Sequence, residues 1–285
     1  MGSVVEISVV MGVYNPGNQE RFYRAVKSVI QQTFQNWEMI LYDDGSDETG
    51  RQVIEWAAAL DDRIILIRSD ENRGLAHALN YCIRQAKGRY IARMDDDDIS
   101  RKDRLERQYS FLELHPRYHW AGSNAELIDS RGIWGVRKVP EIPGKKDFLF
   151  TSPYIHPSVM FHKKVLMENR GYRTSGKFML CEDYELFMRL HRNGYQGYNI
   201  QETLIQYRED YDAHKRRTYR RRIREMRLRY EGFKQLGILN KITFYHVFRP
   251  LMAGAVPAWL RHCIKKQMKG WKIWEKKEKT STENV

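Results

Sequence analysis

The chain lacks both glycine-rich signatures that commonly mark a phosphate site. No Gly-x-Gly-x-x-Gly follows the first apolar run, which excludes a dinucleotide-binding fingerprint, and no Walker lysine motif is present. Cysteine is scarce. Cys82, Cys181 and Cys263 stand far apart without metal-ligand spacing, so they read as reduced packing thiols of a cytosolic protein. Met1 to Val10 lacks a basic start followed by a long apolar stretch, and no secretory signal is expected. Phe244 to Leu260 is apolar but interrupted by Arg249, Pro250 and Pro257, which argues against a membrane-crossing helix. No internal repeat and no low-complexity linker interrupts the pattern.

With 285 residues, 42% of them hydrophobic and 12% aromatic, the chain can build a sizeable core and is not a disordered sequence. The formal net charge of +13 is unevenly placed. Residues 1–213 hold 29 Lys and Arg against 31 Asp and Glu, whereas residues 214–285 hold 20 against 5. A near-neutral catalytic body at 1–213 with a basic extension at 214–285 is the expected organisation.

Ile7 to Val13 is a continuous apolar run rich in β-branched residues, closed by Asn15-Pro16-Gly17, and reads as a buried strand. Trp37–Tyr42, Ile64–Arg68 and Tyr90–Met94 read the same way. Between them Arg21–Thr33, Gln52–Leu60 and Leu75–Ala86 carry helical spacing. Short connections and strict alternation predict an α/β sheet with much parallel pairing, flanked by helices. Further on, Arg104–His115, Val165–Asn169 and Cys181–Arg192 read as helices. His119–Leu127, Gly135–Val139 and Thr203–Tyr207 read as strands, and Lys215–Gln235 as a very basic helix.

The most informative stretch is Met94-Asp95-Asp96-Asp97-Asp98-Ile99. Crowded carboxylates at a strand tip repel each other. A hard divalent cation, Mg²⁺ or Mn²⁺, shared with a bound phosphate would relieve that repulsion. The bland alternative is a solvated acidic loop. Tyr14, Asp43-Asp44 and Asp95 to Asp98 all fall at carboxyl ends of strands, where open α/β sheets bind ligands. An ordinary strand-end turn also accounts for Asp43-Asp44-Gly45-Ser46 taken alone.

Val9 to Asn15, Tyr42-Asp43-Asp44-Gly45-Ser46, Asn72-Arg73-Gly74, Met94 to Asp98 and Cys181-Glu182-Asp183-Tyr184 occur in order. Together they resemble the family 2 inverting glycosyltransferases of the GT-A fold, over about residues 5–210. The resemblance implies a nucleotide-binding half at 1–99 and an acceptor-binding half at 100–213. Tyr14 would flank the nucleotide base and Asp43 would accept a hydrogen bond from it. The turn around Asn72 would bring backbone close to the donor, with Arg73 near the diphosphate. Asp95 would lie near the ribose, Asp97 would hold the metal, and Asp98 would contact the sugar or act from behind. The family usually has a small residue in place of Asp96, whose carboxylate has no implied role.

The resemblance makes Asp183 the general base. Helical periodicity does not choose between Asp183 and Glu182, and a carboxylate at a helix start also suits the macrodipole. His156 precedes an apolar run and could face donor or acceptor, or be structural. His214 corresponds to a family histidine near the metal or diphosphate, across a longer spacing than usual. The implied partners are a nucleotide-diphosphate sugar, most naturally a uridine derivative, and a glycan or lipid-linked acceptor of surface polysaccharide assembly. Trp259, Trp271, Trp274 and the surrounding cations suit the anionic inner face of the cell membrane. The alternative for this extension is a helical subdomain packed on the body. No nucleic-acid motif accompanies the charge, and no nucleic-acid partner is expected. Two rival readings are a nucleotidyltransferase, which would need a basic loop after the first strand, and a non-catalytic adaptor on a sugar-nucleotide fold.

Overall fold

A computed structural model describes residues 4–210 and 218–255. Strands β1 (Ile7–Val13), β2 (Trp37–Asp44), β3 (Ile64–Ser69) and β4 (Tyr90–Arg93) alternate with helices α1 (Gln19–Ile30), α2 (Glu48–Ala58) and α3 (Leu75–Gln85). β5 (Ile99–Ser100), α4 (Arg104–Leu114), β6 (Trp120–Asp129), β7 (Gly132–Arg137), β8 (Met160–His162), α5 (Lys163–Glu168), α6 (Glu182–Arg192) and β9 (Gly197–Arg208) follow. Helices α7 (Tyr219–Leu236) and α8 (Tyr245–Ala255) close the described chain.

All strands join one sheet, ordered β3-β2-β1-β4-β8-β6-β9-β5, with β7 also paired to β6. The first half, β3 to β4, is parallel, as the helix–strand alternation predicts. Beyond β4 antiparallel pairs enter through β8, β7 and β5, while β6 and β9 run parallel. Alternate residues of β1 feed opposite faces. Val9 and Met11 belong to the core cluster that holds Phe22, Val26, Ile54 and Leu105, whereas Val10 belongs to the one that holds Leu79, Trp120, Phe187 and Phe233. A sheet buried on both faces needs the near-continuous apolar strands that the sequence displays.

Several boundaries differ from the sequence pattern for identifiable reasons. Helix α2 begins earlier, at Glu48, because the Asp47 side chain caps it by accepting from the Gly50 N–H at 2.9 Å. Strand β9 is longer than its apolar segment. Its polar start is buried, with Asn199 Nδ2 donating to the Pro140 and Pro153 carbonyls at 2.7 and 3.0 Å. The two-residue strand β5 has no sequence signature. It is held by β9 and by the Ser100 N–H on Ser28 Oγ, 3.0 Å.

The basic helix is real and docks on the body. Phe233, Leu236 and Leu228 of α7 are buried in the same core as Phe187. Its C-terminus closes on Gly237 in the left-handed region, φ 71°, with the Ile238 N–H bonding the Phe233 carbonyl at 3.0 Å. Pro250 lies inside α8 and cannot donate to the His246 carbonyl one turn earlier. Arg229 of α7 supplies that donor at 3.3 Å and also reaches the Leu149 and Phe150 carbonyls at 2.9 and 3.1 Å. The packing alternative for the basic extension therefore holds for α7. No helix among the described residues is long and apolar enough to cross a membrane.

Arg229 is only 4% exposed, so its removal leaves three carbonyls and Glu225 without their donor. Arg229→Ala should lower unfolding free energy by about 3 kcal/mol, read from the denaturation midpoint. Arg227→Ala, exposed on the same helix, should change it by less than about 0.5 kcal/mol. Equal midpoints for the two variants would contradict this account of the docking.

Candidate active site

The site is built at the carboxyl ends of β1, β2 and β4. Asp43 is fully buried at the tip of β2, and one oxygen, Oδ1, accepts the Ser46 N–H at 2.9 Å. Its Oδ2 is buried without a partner, an acceptor facing no donor of its own chain. Ser46 Oγ in turn accepts from the Asn15 N–H, and Asn15 Oδ1 accepts from the Asp47 N–H, each at 2.9 Å. These bonds tie the β1 loop to the β2 loop and leave the adjacent Tyr14 ring 51% exposed.

Asp44 works differently from its neighbour. Its two oxygens accept the Arg73 and Gly74 N–H groups at 3.0 and 2.7 Å, which clamps the turn after β3 onto β2. Gly45 makes this close approach possible. Its φ is +79°, and a Cβ there would lie 2.5 Å from the Glu71 carbonyl carbon. Asn72 and Arg73 are exposed on the turn, where Arg73 meets Glu71 at 3.6 Å.

The carboxylate run leaves β4 around a buried arginine. Arg93 is 1% exposed, pairs with Asp95 Oδ1 and donates to the Met94 carbonyl. Asp98 is fully buried, and its Oδ1 accepts the Arg208 N–H at 2.7 Å. Arg208 Nε also donates to the Asp97 carbonyl at 3.1 Å, so the end of β9 fastens the run from below. Asp98 Oδ2 has no partner. Burial, then the charges of Asp95 and Asp97, hold the Asp98 carboxyl well above the usual range. Asp96 is pushed up to about 7 by burial and the same neighbours. The crowding read from sequence is thus present in the fold.

The second carboxylate station is the first turn of α6. Asp183 is half-buried, and burial raises its pKa above 3.8. The Tyr184 N–H and the charges of Arg221 and Arg137 act in the opposite direction. Glu182 is 8% exposed and is pushed up to about 6 by burial and then by Asp183. The buried Tyr172 hydroxyl meets His156 Nε2 at 2.7 Å. Burial raises the Tyr172 pKa first, Arg93 lowers it, and the charges of Asp183, Glu182 and Asp95 raise it. Tyr172 therefore feels the carboxylates of both stations and Arg93 at once. Burial and Arg93 hold His156 well below its usual pKa, a neutral ring engaged by tyrosine.

The structure thus pairs Asp95 with Arg93 and His156 with Tyr172, sets Glu182 and Asp183 in the first turn of α6, and places Tyr14, Asp43, Asn72 and Arg73 on one interlocked set of loops. His214 lies outside the described residues, as do Trp259, Trp271 and Trp274. Among the described residues no three acidic, histidine or cysteine side chains converge as a metal cage. A Mg²⁺-type site needs only one or two carboxylates when substrate phosphates supply the rest. Asp97, beside the over-crowded Asp96 and the unpartnered Asp98 Oδ2, fits that donor chemistry. Sequence reasoning missed Arg93 and Tyr172. An arginine inside the otherwise apolar segment Tyr90 to Met94 was the available signal. Nothing local marks Tyr172.

Residues 8–169 match the model of the family described as Glycosyl transferase family 2. The chain is 36% identical over 259 residues to "Putative glycosyltransferase EpsE" of Bacillus subtilis, covering 90% of this chain and 92% of that protein. It is 27% identical over 271 residues to an Escherichia coli UDP-Gal:alpha-D-GlcNAc-diphosphoundecaprenol beta-1,3-galactosyltransferase, covering 92% and 96%. Its fold matches the mannosyltransferase PcManGT of Pyrobaculum calidifontis, solved with GDP-Man and Mn2+, at a TM-score of 0.61 and 17% identity over 94% of this chain and 82% of that one. The fold is GT-A, and the chain is a glycosyltransferase belonging to glycosyl transferase family 2.

Proposed function

We propose that the protein is a metal-dependent, inverting transferase that moves a sugar from a UDP-sugar to a hydroxyl of a glycan or lipid-linked acceptor in surface polysaccharide assembly. The observation that carries this reading is the presence of two separate carboxylate stations, the run after β4 anchored by the Arg93–Asp95 pair and Glu182-Asp183 at the start of α6, whose charges both act on the buried Tyr172. One station suits a leaving diphosphate and the other an attacking hydroxyl. The full-length similarity to an enzyme named for UDP-Gal and a diphosphoundecaprenol-linked sugar supports the donor and acceptor classes.

In this reading Tyr14 flanks the uracil ring and Asp43 Oδ2 accepts its imide N–H, satisfying an oxygen left without a partner. The turn pinned by Asp44 sets Asn72 and Arg73 beside the donor. Asp95 lies at the ribose, oriented by Arg93. Asp97 would hold Mn²⁺ or Mg²⁺, which supplies Lewis-acid neutralisation of the departing diphosphate. Asp183 takes the proton of the acceptor hydroxyl, and its raised pKa makes it a stronger base than an exposed carboxylate. Glu182 and the neutral His156–Tyr172 pair shape the wall behind it. The active protein would work from the cytoplasmic membrane face. Ile242, Phe244, Tyr245, Phe248 and Met252 form an exposed apolar strip at α8, with Lys241 and Arg249 beside it, which suits an anionic bilayer surface.

Asp183→Asn should lower kcat by about a hundredfold or more with UDP release as the readout. Asp97→Ala should lose a comparable factor, and added Mn²⁺ should not restore it. Undiminished transfer in both variants would remove the assigned roles. The sign of the pH dependence follows from the ionised form being the base. Burial raises the Asp183 pKa, so activity should fall as pH drops through a value above 3.8. An acid limb at or below the ordinary carboxylate range would contradict the assignment. Sedimentation with phosphatidylglycerol vesicles should weaken in high salt and in Phe248→Ser with Met252→Ser. Unchanged sedimentation of that double variant would exclude the α8 strip as the contact.

A further inference from the structure

An open cleft of about 590 Å³ lies between α1 and the segment Ile99 to Lys102, with Thr203, Ile205 and Gln206 of β9 also lining it. That volume is within the span of small-molecule sites, roughly 300–1,000 Å³. None of the residues assigned to donor, metal or acceptor lines it. Its two sides are tied together. The Ser100 N–H donates to Ser28 Oγ at 3.0 Å, Gln32 Nε2 to the Arg101 carbonyl at 2.8 Å, and the Thr33 N–H to the Lys102 carbonyl at 2.8 Å. Ile99 and Ser100 pair in register with Gln206 and Ile205. The cleft is therefore part of the folded frame.

Four cations, Arg24, Lys27, Arg101 and Lys102, line it against one carboxylate, Glu126. Arg101 is already committed to Asp103 and Glu202, at 2.6 and 2.8 Å. Glu126 accepts from Gln206 Nε2 at 3.0 Å. Arg24, Lys27 and Lys102 are exposed and form no ion pair among the described residues. Three cations around one cavity without a counter-charge repel one another, and a bound anion relieves that repulsion.

Lys27 links the cleft to a second feature. Its ammonium stands 5.5 Å from the centroid of the Tyr23 ring, one turn back on α1. Tyr23 stacks on Trp56 of α2, with centroids 5.1 Å and planes 26° apart. Trp56 is 56% exposed, so the pair offers an aromatic surface to solvent. At helical spacing Tyr23, Arg24, Lys27 and Gln31 share one side of α1, which makes cations and rings neighbours. An exposed ring suits the C–H face of a pyranose, and Gln31, Thr203 and Gln206 carry donors and acceptors for sugar hydroxyls.

We infer that this cleft and the Tyr23–Trp56 pair form an accessory binding site for an acidic oligosaccharide bearing uronate carboxylates. The inference goes beyond the proposed function, because it assigns a second glycan contact outside the catalytic centre and does not depend on which residue is the base. Carboxylates of the glycan lie among Arg24, Lys27 and Lys102, and a neighbouring sugar ring stacks on Trp56. A bare phosphate would use the cations and leave the aromatic pair without a part. A chain held in this way keeps the enzyme close to acidic glycan between turnovers.

Calorimetry of the full chain in EDTA, with trigalacturonate as the probe, tests this site without a metal-held donor. The wild type should bind trigalacturonate, with affinity falling as salt rises. The methyl ester of the same trisaccharide, which lacks the charge, should bind about tenfold more weakly or worse. Arg24→Gln and Lys102→Gln should each weaken binding about tenfold. Trp56→Ala should weaken it about fivefold at every salt concentration, since the lost contact is uncharged. Hydrolysis of UDP-sugar with Mn²⁺ should keep its kcat in all three variants. No binding by the wild type, equal binding of the methyl ester, or equal binding by the two Gln variants would overturn the inference. So would an unaltered affinity in Trp56→Ala, or equal affinity for inorganic phosphate or triglutamate, since the cleft would then be a general anion site. Loss of donor hydrolysis in the cleft variants would make it part of the catalytic centre and overturn its accessory role. Absence of donor turnover in the wild type would instead count against the proposed function, because the calorimetry does not depend on it.

Discussion

The site depends on one buried charge. Arg93 is almost inaccessible, and an isolated guanidinium at that depth would be very costly. It is tolerable because Asp95 pairs with it and because Asp98 adds to the negative field around it. The dependence runs the other way too. Without Arg93 the carboxylate run would lose the buried cation that pairs with Asp95. Arg104 braces the arrangement from behind, donating to the Arg93 carbonyl at 2.7 Å, and burial pushes its own pKa down to about 9. A protein that buries two arginines beside four aspartates has concentrated polar groups where the rest of the sheet is apolar. Violations of the apolar rule of this kind are expected at functional sites.

The position of this cluster follows from the topology. β4 is the strand at which the parallel half of the sheet meets the antiparallel half. Loops from the parallel side converge on its carboxyl end, while β8 and the turn at His156–Ser158 approach from the other side. The Arg93 N–H donates to the Val159 carbonyl at 2.9 Å, so the arginine is a member of both halves. In the proposed function such a seam would let one set of loops read a nucleotide and a different set present an acceptor. Asp44 and Asp98 both act through backbone N–H groups that they accept. One clamps a turn, and the other fastens the carboxylate run to β9.

Much of this was legible in the chain. Strand tips at Tyr14, Asp43 and Asp95 could be placed because buried parallel strands are long apolar runs that end abruptly. The pairing of Asp43 with an open acceptor was not legible, since Asp43 and Asp44 look alike in sequence and differ only in which N–H groups reach them. β5 was invisible because two residues carry no periodicity. Arg93 was overlooked because local patterning treats a cation within a strand as an interruption, not as a counter-ion for residues two positions on. His156 was left between functional and structural readings, and its bond to Tyr172 spans sixteen positions that include β8 and α5.

The C-terminal charge asymmetry needs division into two physical kinds of cation. Arg222 and Arg229 point inward and act as carbonyl clamps, Arg222 on Pro250 at 2.8 Å and Arg229 on the carbonyl that Pro250 cannot serve. Their charge is spent within the fold and offers nothing to a membrane. Arg220, Arg221 and Arg227 lie on the other sides of α7, exposed or half-buried. Net charge alone therefore overstates how much of the helix is available to an outside anion. The same helix joins the core through Phe233 and supports α8 with its exposed apolar strip. In the proposed function one rigid element does both, and the distance between a bilayer surface and Asp183 would be set by α7 itself. That constraint favours an acceptor whose reactive sugar sits close to its membrane anchor over one that must reach the site from far along a free chain.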